Sequence, residues 1–353
     1  MLEMTDVDRT PTHWAARSNH REASSAIGYD GRTDAIRIAL INNMPDPALE
    51  DTESQFFELL DAAAGHLPVR LKLYSLPKIP RSDRGLEHLK SFYFGLDDLW
   101  NSRFDGVIIT GTEPHQPDLR KEPYWSALAD VLDWAEENTA STVLSCLAAH
   151  AGVLHSDGIG RHPLDDKQFG VFDDRKVSDH ALTSGTTEPM RFPHSRWNEV
   201  REDALTSCGY MVLTKSAEAG VNLFVKKKKK SLFVHFQGHP EYGAGTLLKE
   251  YRRDVKRFLR RERPTYPKVP HGYFGAAATK VLDEFRETAL SHPREELMTA
   301  FPEVVMSDGL ESTWHSPAAR VYRNWLQYVV SRRTSTAAYA DSAASRIFVT
   351  WSR

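Results

Sequence analysis

The chain has 353 residues, 41% of them hydrophobic and 26% charged, enough for one large α/β domain with additions or for two domains. A net charge of −3 gives no global attraction to nucleic acid or to an anionic membrane, and no segment approaches the roughly 20 apolar residues of a spanning helix. Two cysteines, Cys146 and Cys208, make no disulfide framework, and the charged start (Glu3, Asp6, Asp8, Arg9) lacks an apolar signal core, so the expected compartment is the cytoplasm.

Residues 1 to about 33 are polar and aperiodic and read as a flexible arm. Ala35 to Ile41 alternates as a strand, the two-proline stretch Asn42 to Pro47 is a loop, and Phe56, Phe57, Leu59 and Leu60 mark an amphipathic helix. Val69 to Leu76 is a second strand, Leu86 to Trp100 reads as largely helical, and Asp105 to Thr112 is an apolar strand running into a glycine turn. Tyr124 to Glu137 is a helix, with Trp125, Leu128, Leu132 and Ala135 on one face. Ser141 to Ser145 reads as a buried strand, and Leu147 to Leu154 as a helix of small and apolar residues. Strands alternating with helices at this spacing predict a doubly wound, mostly parallel α/β sheet, whose ligands gather outside the carboxyl ends of the strands. Farther on, 211–214, 221–225 and 232–236 read as antiparallel strands or hairpins, 245–263 as a basic helix, 275–312 as a helix-bearing segment, and 314–333 as an apolar-faced helix before a loose Ser/Ala/Thr-rich tail. The division is therefore a 1–33 arm, a 34–274 catalytic domain, a 275–333 helical addition and a 334–353 tail.

Cys146 falls on the strand-to-helix turn. A thiol there is exposed at the sheet edge, and the helix N-terminus favours its thiolate. The backbone N–H of Leu147, just after it, is free to hold an oxyanion. A buried structural thiol is the plainer reading of a lone cysteine, and the one given to Cys208. The base is sought at the end of the 232–236 strand, in Gly238-His239-Pro240-Glu241. A histidine there can take a proton, and a carboxylate two residues on can hold its other ring nitrogen. The string alone also reads as a capping turn. His235 is a rival base, but strand alternation points it elsewhere; His150, one helical turn past Cys146, reads as a packing residue.

These residues resemble the class I glutamine amidotransferase-like superfamily, and more closely the homoserine O-acyltransferase family. The resemblance rests on Met44-Pro45, Thr52 to Phe56, Glu87 to Tyr93, Phe104 to Gly106 through Thr110-Gly111, Tyr124-Trp125, Gly170 to Phe172, Pro193 to Arg196, Gly238 to Tyr242, Glu250 to Asp254 and Asn324 to Leu326. It implies ping-pong acyl transfer, with Cys146 as nucleophile, His239 as base and Glu241 as its partner. It implies that Lys167, Ser195 and Arg253 bind the acceptor amino acid, which suits a zwitterion whose carboxylate needs a cation. It further implies succinyl-CoA or acetyl-CoA as co-substrate, no permanently bound cofactor or metal, L-homoserine as acceptor and a homodimer, with neither nucleic acid nor membrane as partner.

The chain departs from the family where Asp46 and Pro47 follow Met-Pro in place of a lysine pair. His115 falls where the family reads its acyl donor. It lacks the negative charge that repels a succinyl carboxylate, which favours succinyl, although its bulk and nearby Glu113 count the other way. The 275–312 segment and the Lys226–Lys230 run lie outside the resemblance; the run reads as a solvated hairpin turn. Competing readings are a glutamine amidotransferase-like amidohydrolase, against which Ala148 stands where those enzymes carry a glycine, and a non-catalytic metabolite-binding relative.

Overall fold

The computed structural model describes residues 2–4, 35–303 and 310–347, with side chains described for 35–303 and 310–333. Ten strands form one sheet: β1 (Leu2–Met4), β2 (Ile36–Ile41), β3 (Val69–Tyr74), β4 (Gly106–Ile109), β5 (Ser141–Ser145), β6 (His162–Lys176), β7 (Met190–Glu199), β8 (Met211–Ser216), β9 (Gly220–Lys228) and β10 (Ser231–Phe236). Their spatial order is β1-β3-β2-β4-β5-β10-β9-β8-β6-β7. The half from β1 to β10 is parallel, and the half from β9 to β7 is joined by antiparallel ladders. The expected α/β class, with a parallel core and a β-rich elaboration, is borne out. Strands β4, β5 and β10 are buried along their whole length, which explains their unbroken apolar character.

The helices are α1 (Asp46–Ala64), α2 (Asp83–Phe92), α3 (Leu96–Asn101), α4 (Trp125–Asn138), α5 (Leu147–Asp157), α6 (Glu202–Ser207), α7 (Thr246–Leu259), α8 (Ala276–Ser291) and α9 (His315–Ile347). The single helix expected over Leu86 to Trp100 is two, because Phe94 leaves the helix to bridge Tyr74 at the end of β3. The long β6–β7 hairpin was not foreseen. Of the arm, Leu2–Met4 pairs in parallel with β3, and residues 5–34 lie outside the described residues. The helix expected to end at 333 continues to Ile347, into the segment expected as a loose tail; 348–353 lie outside the described residues.

The motif residues of α1 brace the fold. Buried Glu53 accepts from the Tyr93 hydroxyl (2.6 Å) and pairs with His88 Nε2 (2.8 Å), tying α1 to α2. Asp46 accepts from Ser82 N–H and pairs with Arg81 (3.1 Å), which also donates to the Met44 carbonyl, so it fixes the Met44 loop. Of the Lys226–Lys230 run, Lys226–Lys228 end β9, and Lys229 and Lys230 make the expected turn into β10. Lys226 and Lys228 pair with Asp157, and Lys229 with Glu136 and Glu137.

Helix α9 closes the core. Trp325 is 1% exposed, its Nε1 donates to Ser141 Oγ (2.9 Å), and its ring lies against Gly106, where a Cβ would come within 2.9 Å of it. Trp325→Ala is expected to lower stability by about 3–5 kcal/mol in urea denaturation, as for other buried aromatic truncations. Gly106→Ala should also destabilise, since its methyl meets the same ring.

Candidate active site

Cys146 stands between β5 and α5 with φ 52° and ψ −112°, a strained conformation for a residue with a Cβ. Small residues let α5 sit close on β5: a Cβ on Gly152 would lie 2.4 Å from Leu144 Cδ1. The Cys146 carbonyl accepts from Ala149 (2.9 Å) and His150 (3.3 Å). Among the described residues the Leu147 N–H has no backbone acceptor, and Cys146 itself is partly exposed while its neighbours are buried.

Strand β10 lies in parallel register beside β5, with Phe236 opposite Ser145, and the Cys146 N–H donates to the Phe236 carbonyl (2.8 Å). The next turn therefore emerges beside the thiol. His239 Nδ1 pairs with Glu241 Oε1 at 2.9 Å, leaving Nε2 for the sulfur. Ser145 Oγ donates to the same carboxylate oxygen (3.0 Å). Burial opposes charge on His239, but the Cys146 sulfur and the Glu241 carboxylate outweigh it and hold the imidazole pKa well above the usual value. This arrangement favours the imidazolium form of His239. Cys146, His239 and Glu241 are brought together as expected.

The turn is held from behind. Gly238 N–H donates to Asn222 Oδ1 (2.9 Å), and Asn222 Nδ2 donates to buried Asp174 (2.7 Å), whose pKa burial pushes up to about 7. A Cβ on Gly238 would lie 2.7 Å from the Pro193 carbonyl, so only glycine fits. His150 Nε2 meets Gln237 Oε1 (2.9 Å), and burial lowers its pKa to about 3, so it is a neutral brace between α5 and this turn. His235 stacks on Phe224 with ring centroids 4.6 Å apart, away from the thiol.

Lys167, Ser195 and Arg253, expected to bind the acceptor, meet at a fourth residue that sequence reasoning did not assign. Glu250 Oε2 receives the Ser195 hydroxyl, Lys167 Nζ (3.2 Å) and Arg253 Nη2 (3.6 Å). Its Oε1 accepts from the Tyr242 hydroxyl (2.7 Å), and the Tyr242 ring stacks on His239 at 4.1 Å. Burial opposes the Glu250 charge, but Lys167 and Arg253 prevail, so the carboxyl stays below its ordinary pKa. Lys167 and Arg253 are also shared with Asp254, at 3.1 Å each. The available signal was the spacing of Glu250 and Arg253, one helical turn apart.

The loop after β4 carries His115, whose side chain is exposed. Its backbone N–H and that of Gln116 both donate to Glu122 Oε1 (2.6 Å each). The donors of the Asn42–Met44 loop, which also lies at a strand end, are committed within the fold. Its Asn43 N–H and Nδ2 donate to Thr110, and its Met44 N–H donates to Asn42 Oδ1. Gly111 instead lies against the elbow, where a Cβ would fall 3.0 Å from Leu147 N. Among the described residues no group of His, Cys, Asp and Glu has metal-binding geometry, and no helix is long and apolar enough to cross a membrane.

The family model described as homoserine O-succinyltransferase matches residues 16–336. A homoserine O-succinyltransferase of Rhodopseudomonas palustris is 44% identical over 310 residues, 88% of this chain and 90% of that one. One of Bradyrhizobium japonicum is 44% identical over 295 residues, 83% of this chain and 90% of that one. Among solved structures, a glutamine amidotransferase of Thermotoga maritima is 13% identical, covering 84% of this chain and 98% of that one, at a TM-score of 0.46; nothing about activity follows from a likeness of that size. The sequence matches do carry weight: the chain belongs to the homoserine O-succinyltransferase family.

Proposed function

We propose that the protein transfers a succinyl group from succinyl-CoA to the hydroxyl of L-homoserine through a Cys146 acyl-enzyme, a step of methionine biosynthesis in the cytoplasm. The observation that carries this reading is the meeting of a strained, partly exposed thiol with the His239–Glu241 pair. The Glu250 cluster lies beside that pair, through the Tyr242 ring.

In the first half-reaction the Cys146 thiolate attacks the thioester carbonyl carbon. The Leu147 N–H takes the oxyanion, with the Gly111 backbone as the second donor. Collapse breaks the bond to the CoA sulfur, which leaves with the proton of the His239 imidazolium. One thioester replaces another, so the acyl group stays activated. In the second half-reaction neutral His239 takes the homoserine hydroxyl proton as that oxygen attacks the acyl carbon. Collapse releases the O-acyl ester and restores the Cys146 thiolate beside an imidazolium. Glu241 holds the imidazole tautomer and supports its charge in both halves.

Arg253 and Lys167 take the acceptor carboxylate, and Glu250 its ammonium, while Ser195 completes the hydrogen bonding. A cluster already carrying both signs of charge suits a zwitterion. His115, without a negative charge, leaves the succinyl carboxylate unopposed. A homodimer belongs to the same reading, from the family resemblance.

Mass spectrometry after incubation with succinyl-CoA is expected to show one succinyl adduct on the wild type and none on Cys146→Ala. An adduct that survives this substitution, or ammonia release from glutamine with no thiol release from succinyl-CoA, removes the reading. Glu241→Gln strips a negative charge from the imidazolium, so its pKa falls. The alkaline limb of kcat/KM for succinyl-CoA, where the imidazolium is lost, should then move to lower pH by about one unit or more. Arg253→Met should raise the homoserine KM by ~10–100-fold, the worth of a charged hydrogen bond, while the burst of CoA release in the absence of homoserine keeps its wild-type rate.

A further inference from the structure

Close to the thiol lies a cation that these steps do not use. Arg161 follows the α5 C-cap at Gly158 and is half-buried. Its Nη2 donates to the carbonyls of Gln116 and Pro117, at 3.1 Å each. Among the described residues its Nε and Nη1 have no hydrogen-bond partner. Burial works against its charge; Tyr124, Glu122, Asp118 and Cys146 act in its favour, so the guanidinium is within electrostatic reach of the nucleophile. Glu122 offsets part of that charge, but its Oε1 is held by the N–H groups of His115 and Gln116.

Tyr124 supplies a second uncommitted donor. It is 4% exposed, and its hydroxyl has no partner among the described residues. Burial keeps the phenol protonated, so it can donate. Tyr124 forms part of the wall of a narrow slot shared with Gly111, Leu147 and Ala148, the segments that frame the oxyanion donors. The slot is narrow, with room for about one water-sized group. A buried donor without an acceptor is costly unless a ligand supplies one.

We propose that Arg161 and the Tyr124 hydroxyl recognise the free carboxylate at the far end of a dicarboxylic acyl group carried on Cys146, and so select a dicarboxylic thioester over a neutral one of equal length. This assignment rests on the acyltransferase reading and adds to it a specificity-determining pair outside His115. A guanidinium with two free nitrogens suits a carboxylate because it can bind both oxygens.

The test compares thiol release from succinyl-CoA and butyryl-CoA, equal in carbon number, with homoserine as acceptor. Wild type should prefer succinyl-CoA. Arg161→Met should lose ~10–100-fold in kcat/KM for succinyl-CoA, the range of a charged hydrogen bond, with butyryl-CoA changed by less than about 3-fold. Arg161→Lys should restore part of the preference. Tyr124→Phe removes one hydroxyl, carries the test if Arg161→Met does not fold, and should weaken succinyl-CoA alone. Equal losses for both donors would mean that Arg161 merely holds the 116–117 loop, and would overturn the assignment; so would a wild type that does not distinguish the two. A wild type that uses neither thioester marks a different failure, that of the acyltransferase reading itself.

Discussion

The site depends on one ladder. Parallel pairing of β5 with β10 sets Ser145 opposite Phe236, and the first hydrogen bond past the strand end runs from Cys146 to Phe236. Thiol and imidazole lie more than ninety residues apart in the chain, yet they leave neighbouring strands at the same edge. A slip of one residue would turn every β10 side chain to the opposite face. It would also break the Asn222 contacts that aim the following turn. The core and the chemistry thus share one register.

Around that register the structure gathers charge in pairs. His239 is stabilised as a cation by Cys146 and Glu241, and Glu250 as an anion by Lys167 and Arg253. Between the two groups stands the Tyr242 ring, stacked on the imidazole and hydrogen-bonded to the carboxylate. Its burial raises the phenol pKa well above normal, so it remains a donor to Glu250. Such a spacer fixes the distance between the imidazole and the Glu250 cluster without adding a charge of its own.

Much of this was legible in the residues, for identifiable reasons. Fully buried strands such as Val107-Ile108-Ile109 and Ser141 to Ser145 announce themselves by apolar runs, and the elbow after the second follows from them. The β6–β7 hairpin was hidden because β6 is exposed or half-buried up to Gln168, is irregular between Pro163 and Gln168, and is buried over only a few central residues. The lysine run concealed a strand because identical residues show no alternation. Glu250 was masked by its basic helix, where a carboxylate one turn from an arginine reads as a surface pair. The far end of α9 has too little apolar periodicity to declare itself, and Arg161 sits in a short connection with no motif around it.

Helix α9 also bears on when the site can exist. Trp314, just before it, donates to the Tyr242 carbonyl, Tyr322 stacks on Phe236, and Trp325 bonds Ser141. All three grip the segments around the thiol and its base, yet they come well after both in the chain. During synthesis, which proceeds from the N-terminus, the β5–β10 segment lacks these contacts until residues near 325 leave the ribosome. A nascent chain that already contains every reactive group is therefore still an unfinished enzyme, and its competence arrives late, with the closing helix.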